Sequence, residues 1–108
     1  MSRARLTEDE ITAGLAALPE WSRTGDTLVR TADADDFPAA IRVVVAVAAD
    51  AEALDHHPDI DIRWRTLHFA LSTHSAGGLT ALDLTLAARI DAALRAESSG
   101  GQDPADGA

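Results

Sequence analysis

The sequence predicts an α+β domain: one four-stranded antiparallel sheet covered on one face by helices, in the order α-β-β-α-β-β-α. Three observations carry this. Apolar residues recur at helical spacing in three stretches, two pairs of short strand-like segments lie between them, and capping or turn residues punctuate the boundaries. Helices interleaved with hairpins pack as layers around one core. The chain has 108 residues, enough for one compact domain and too few for two.

The elements follow in chain order. Thr7 and Glu10 form a capping box, after which Ile11, Leu15 and Leu18 repeat at helical spacing until Pro19. From Trp21 to Arg30, Gly25-Asp26 marks a turn between two short strands. Asp35 or Asp36 caps a second helix that tolerates Pro38 in its first turn. Its apolar stripe reads as Phe37, Ile41, Val44, Val45 and Ala48, and Pro58 ends it near His56. Ile60 to Trp64 alternates Ile60, Ile62 and Trp64 with Asp61 and Arg63, a half-buried strand. Leu67 to Thr73 puts Leu67, Phe69 and Leu71 on one face and His68, Ala70 and Ser72 on the other; its half-polar character marks it as a candidate edge. After the loop His74 to Gly78, Thr80 caps a third helix with Asp83 as its box partner and Leu79 positioned to staple to Leu84. Leu86, Ala87, Ile90 and Leu94 supply the buried stripe. Residues 1–96 thus form the domain, and 97–108, with nothing to bury, read as a disordered acidic and glycine-rich tail.

Composition excludes several function classes. There are 18 acidic residues against 9 basic ones, all arginine, for a net charge of −9. Without a basic cluster, such a chain repels nucleic-acid phosphates and anionic membranes. No cysteine is present, which excludes disulfides, thiolate nucleophiles and Cys-based zinc sites. Arg3 and Arg5 lead into Glu8, Asp9 and Glu10 with no apolar run behind them, and Val43 to Ala49 is too short to span a bilayer, so the expected location is the cytoplasm. A short domain with half-covered strands gains from further apolar burial, so a homodimer or homotetramer is expected.

Three of the four histidines fall at element ends. His56 and His57 stand where the second helix stops, and His74 where the fourth strand stops. Such junctions are where sites are built on a rigid frame. Imidazole, with an ordinary pKa of about 6.5, gives and takes protons at cellular pH. Glu52 lies one turn before His56, close enough to orient its ring if the helix persists. Each residue also has a plainer reading: loop histidines are commonly solvated, Asp83 is first a capping residue, Trp64 is more often core than a stacking platform, and mid-strand His68 is more often surface than catalyst. Zinc is the sharper rival, but the spacing matches neither H-E-x-x-H nor a Cys/His pattern, so no metal is expected.

The run Glu52-Ala-Leu-Asp-His56-His57-Pro58-Asp59, then Trp64, then Thr73-His74-Ser-Ala-Gly-Gly-Leu-Thr80-Ala-Leu-Asp83, resembles the signature of the pterin-4a-carbinolamine dehydratase family. Leu86-Ala87-Ala88-Arg89-Ile90-Asp91 continues it, and with Trp21 and Phe37 the resemblance covers roughly residues 7–95. Trp64 stands where many members have tyrosine, and Asp55 where asparagine is frequent. The resemblance implies dehydration of a 4a-hydroxy-tetrahydropterin to quinonoid dihydropterin and water, supporting tetrahydropterin recycling, with no cofactor. It implies His56 and His74 as the proton-transfer pair, His57 as the group that binds and orients the pterin, Pro58, Thr73, Ser75 and Ala76 as pocket residues, and Glu52 and Asp83 as supports behind them. Relatives of the fold also serve as dimerisation or assembly factors, a role that would not need all three histidines.

Overall fold

The computed structural model describes residues 3–98. Its elements are α1 (Glu8–Ala16), β1 (Ser22–Thr24), β2 (Thr27–Asp33), α2 (Phe37–Leu54), β3 (Asp59–Arg63), β4 (Thr66–Leu71), a 3-10 turn (His74–Ala76) and α3 (Ala81–Glu97), the order read from the sequence. The expected caps form. Thr7 Oγ1 accepts from Glu10 N at 3.1 Å while Thr7 N donates to Glu10 Oε1 at 2.8 Å, and Asp36 Oδ1 accepts from Ala39 N at 2.9 Å. Gly25, at φ 61°, sits in the β1–β2 turn, where a left-handed backbone suits a residue without a Cβ.

The sheet is antiparallel throughout, in the order β1-β2-β4-β3. The strand expected at an edge, β4, is therefore interior; β1 and β3 are the edges. The half-polar pattern was misleading because it comes from the sheet having one uncovered face, which gives interior and edge strands the same alternation. On the covered face Leu28, Leu67, Phe69 and Leu71 join Val43 and Val47 of α2, Leu86, Ala87 and Ile90 of α3, and Ile11, Leu18 and Trp21 in one core.

Helix α2 departs from its expected orientation. The residues it buries are Ala39, Ala40, Val43, Val47 and Ala51, whereas Phe37, Ile41 and Val45 of the expected stripe are 47%, 37% and 64% exposed. This helix is apolar over most of its circumference, so period alone selects two faces. The small-residue face lies inward because it lets α2 approach α3 closely.

Two smaller differences concern element ends. Trp64 is not the last residue of a half-buried strand. Arg63 pairs with Thr66, which leaves Trp64 and Arg65 as a two-residue hairpin loop, and Trp64, at φ 57°, is 72% exposed with the Arg65 guanidinium 5.6 Å from its ring. Glu97, assigned above to the tail, is the last residue of α3, where it accepts from Arg42 Nε at 2.9 Å. Residues 99–108 of the expected tail lie outside the described residues.

One polar network ties sheet to helix beneath the core. Asp91 Oδ1 accepts from Trp21 Nε1 at 2.8 Å and from Arg30 Nη1 at 2.5 Å, with the Arg30 and Asp91 side chains only 17% and 12% exposed. Arg30 Nε is already buried without a hydrogen-bond partner among the described residues. Asp91→Ala would leave the guanidinium uncompensated, so it is expected to cost about 3 kcal/mol, read as a lower urea midpoint at unchanged m-value.

Candidate functional site

The C-terminus of α2 sets the first half of the site. Asp55 adopts a left-handed conformation (φ 51°, ψ 46°), with its N–H donating to Glu52 O at 3.2 Å and the His56 N–H reaching back to Ala51 O at 3.0 Å. This stops the helix in a Schellman-type cap. Arg3 Nη2 donates to the Asp55 carbonyl at 2.7 Å and fixes the reversal. Because the chain leaves the helical path at Asp55, the spacing that would put His56 over Glu52 is lost. Glu52 Oε2 instead lies 2.5 Å from His57 Nε2, and the pairing expected with His56 does not form. His56 turns inward and is 6% exposed, whereas the His57 side chain is 57% exposed.

The second half begins where β4 ends. Thr73 is buried, and its carbonyl accepts from Ala76 N at 3.0 Å and Gly78 N at 3.4 Å, so the chain folds into the 3-10 turn that His74 opens. Gly77, at φ 72°, closes that turn and delivers the chain to the N-terminus of α3.

Asp83 joins the two halves. Fully buried, it is the box residue of α3: its Oδ2 accepts from Thr80 N at 2.9 Å and from Thr73 Oγ1 at 2.8 Å. Its Oδ1 lies 2.6 Å from His56 Nε2. A carboxylate with only acceptors places the hydrogen on Nε2 of His56. The Thr73 hydroxyl hydrogen goes to Asp83, so the 2.9 Å contact between Thr73 Oγ1 and Thr80 Oγ1 is donated by Thr80, whose oxygen in turn accepts from Leu82 N at 3.2 Å. Both carboxylate oxygens of Asp83 and both threonine hydroxyls in this cluster are thus hydrogen-bonded.

The outcome is an alternation within two dipeptides. In His56-His57 and in Thr73-His74, the first residue is buried and tied to Asp83. The second faces a recess lined by Thr27, His57, Asp59, Ala70, Leu71, Ser72 and His74. The structure thus brings His57 and His74 onto one wall and places His56 and Thr73 behind it. Pro58, Ser75 and Ala76 adjoin the lining residues in sequence without lining the recess. Thr27, Asp59, Ala70 and Ser72 were not singled out from the sequence. Asp59 closes the first quoted run without having been given a role and Ser72 immediately precedes the second, but Thr27 is brought in only by the register that sets Leu28 opposite Leu71. Among the described residues, no group of three or more His, Cys, Asp or Glu side chains is arranged to hold a metal ion. Nor is any helix there long and apolar enough to cross a membrane.

The arrangement offers two imidazoles at one opening, each on a backbone pinned from behind, and one of them in contact with a carboxylate. It suits proton donation and proton removal at neighbouring atoms of a small ligand.

Comparison with known proteins agrees in both sequence and fold. The model of the family described as Pterin 4 alpha carbinolamine dehydratase matches residues 4–93. A Nocardia farcinica protein named "Putative pterin-4-alpha-carbinolamine dehydratase" is 54% identical over 95 residues, covering 88% of this chain and all of that protein. A Mycobacteroides abscessus protein of the same name is 57% identical over 88 residues, covering 82% of this chain and 94% of its own. The crystal structure of a transcriptional coactivator/pterin dehydratase from Brucella melitensis superposes with a TM-score of 0.80 at 34% identity, over 83% of this chain and 98% of that one. A pterin dehydratase-like protein identified as a RuBisCO assembly factor in the alpha-carboxysome shares the fold at TM-score 0.57 and 20% identity, over 68% of this chain and 86% of its own.

Proposed function

We infer, since this chain belongs to the pterin-4-alpha-carbinolamine dehydratase family, that it catalyses loss of water from a 4a-hydroxy-tetrahydropterin in the cytoplasm and so supports tetrahydropterin recycling. The observation that carries this reading is the pairing of His57 and His74 at one recess. In the reaction the C4a–O bond breaks as an acid protonates the departing oxygen, and a base takes the N5 proton as the C4a–N5 double bond forms. The products are quinonoid dihydropterin and water, with no change in oxidation state. One imidazolium and one neutral imidazole suffice, an effect worth about 10²–10⁴-fold in rate.

The family resemblance gives proton transfer to His56 and His74 and binding to His57. The recess favours a different division, in which His57 and His74 exchange protons with the substrate and His56, held by Asp83, is a positioning residue. Ser72 and Thr27 supply hydroxyl groups, and Asp59 a carboxylate, at the same opening. Pro58, Ser75 and Ala76 shape the two loops that carry the histidines.

Turnover of chemically generated carbinolamine tests the activity and separates it from a non-catalytic binding role. With one acid and one base, both imidazoles, kcat/KM is expected to fall on both sides of a pH optimum, the limbs reporting the coupled pair rather than one ring. Chelator treatment is expected to leave the rate unchanged; loss restored by zinc would replace this mechanism with a metal-assisted one.

We also propose that the protein self-associates. Phe37, Ile41 and Val45 form an exposed apolar stripe along α2, larger in side-chain volume than the face that α2 buries. Sedimentation at micromolar concentration is expected to show a dimer or tetramer. Val45→Asp, which places a charge on the most exposed residue of the stripe, is expected to shift it to monomer without lowering the urea midpoint of the monomer.

A further inference from the structure

A cavity of about 340 Å³ lies on the helix side of the sheet, between the α1–β1 turn, the end of β2 and the end of α3. Ala17, Ala32, Ala34, Val43 and Leu94 form its apolar wall, and the small side chains among them leave the space. The sheet stands between this cavity and the histidine recess. Arg30 reaches α3 and so points to the covered face, whereas Ala70, on the recess floor, alternates with the buried Leu67, Phe69 and Leu71 and points to the other. The volume falls at the small end of the range that ligand pockets take.

The polar lining is incomplete in two respects. First, Arg30 is held at one end only. Asp91 Oδ1 accepts from Nη1, which leaves Nε and Nη2 along the other edge of the guanidinium plane. Nε is buried with no hydrogen-bond partner, and Nη2 has none among the described residues. That edge is the two-donor fork that matches a carboxylate. A side chain only 17% exposed is not free to swing out and satisfy it in water. Second, the cavity carries one cation and one anion that do not meet. Arg95, on α3, and Glu20, after Pro19, both line it, and neither side chain has a hydrogen-bond or ion-pair partner among the described residues. The remaining acids are occupied: Asp91 by Arg30, Glu97 by Arg42, and Asp33, turned to the opposite face of the sheet, by the Thr66 hydroxyl.

An anion alone would leave Glu20 unanswered, and a cation alone would leave the Arg30 edge unanswered. A small molecule that carries both charges answers both. We propose that this cavity binds a small zwitterion, an α-amino acid with a short apolar side chain. Its carboxylate takes Nη2 of Arg30 and, with a small tilt of the guanidinium, Nε, while Arg95 supplies a second cation. Its ammonium group faces Glu20, and its side chain packs against Ala17, Ala32 and Leu94. The bond to Arg30 forms away from bulk water, where a charge-assisted pair counts most. Glu20 and Arg95, at the exposed mouth, contribute less. The site lies apart from the histidines and does not depend on the dehydratase reading.

Calorimetry on the full chain with three probes tests this: L-leucine, L-leucinamide, which lacks the carboxylate, and N-acetyl-L-leucine, which lacks the ammonium group. L-leucine is expected to bind saturably, one molecule per chain, with leucinamide weaker by about 10-fold or more and N-acetylleucine by about 3-fold. Arg30→Lys keeps a charge beside Asp91 but has no fork, and is expected to weaken leucine about 10-fold. Ala17→Leu fills the cavity from its exposed rim without entering the core, and is expected to abolish binding. This second variant keeps the test open if Arg30→Lys folds poorly. No saturation by leucine up to about 10 mM overturns the proposal. Leucinamide or N-acetylleucine binding as tightly as leucine overturns it as well, and so does leucine binding that neither variant changes.

Discussion

Asp83→Ala is expected to lower stability by about 3–5 kcal/mol and to abolish the site along with it. The side chain is wholly buried, yet it accepts from His56 Nε2, Thr73 Oγ1 and Thr80 N. Its removal leaves three donors without an acceptor, in surroundings that water does not reach, and it takes away one half of the α3 capping box. A domain of this size has only about 5–15 kcal/mol in total, so the variant stands near the edge of folding. Asp83→Asn is the sharper probe. It keeps the shape, but its amide N–H group must face either the His56 hydrogen or the Thr73 and Thr80 hydrogens, so a smaller loss of about 2 kcal/mol is expected, with His56 or Thr73 displaced. Urea titration with turnover at each step checks both. An Asp83→Ala protein as stable as its parent would show that the buried network does not hold the two halves of the site together.

His57→Ala and His74→Ala are expected to act on the opposite quantity. Each should lower kcat/KM on carbinolamine by about 10²–10⁴-fold and change stability by less than about 0.5 kcal/mol, because both rings stand at the surface. If the two exchange protons with one substrate, the double variant loses little more than the more damaging single one. His56→Ala should lose stability as well as rate, since it leaves the Asp83 carboxylate buried beside a cavity. The pattern across the three separates the division of roles proposed here from the one the resemblance implies. Full rate in His57→Ala with a raised KM would return His57 to a binding role.

The fold was legible because its signals are local and agree with one another. Thr7 with Glu10, Asp36 with Pro38, and Thr80 with Asp83 mark three helix starts within single turns of chain, and the Gly25-Asp26 turn marks a hairpin. What local pattern does not carry is the choice between two apolar faces of one helix. In α2 that choice depends on which side chains α3 and the sheet leave room for, a property of three elements together. Strand order is non-local in the same way: nothing within Thr66–Leu71 reports that β2 and β3 lie on either side of it.

The candidate site divides similarly. His56, His57, His74, Glu52 and Asp83 stand out by residue type and position. Their pairing turns on one backbone conformation, at Asp55, which exchanges the histidine that Glu52 meets. A left-handed residue at that position is hard to anticipate where the chain carries aspartate and not glycine. Thr27 and Ala70 carry no chemical signature, and they enter the recess only through sheet register.

The interior place of β4 has a consequence for how the site moves. Ala70 of β4, at the centre of the recess floor, is paired with Val29 on one side and Asp59 on the other, so its amide hydrogen is expected to exchange only when the domain as a whole opens. The two histidine segments are attached differently, through helix-end and turn contacts and through one carboxylate. Ligands are therefore expected to enter and leave without disturbing the register that aligns Ala70 with Asp59.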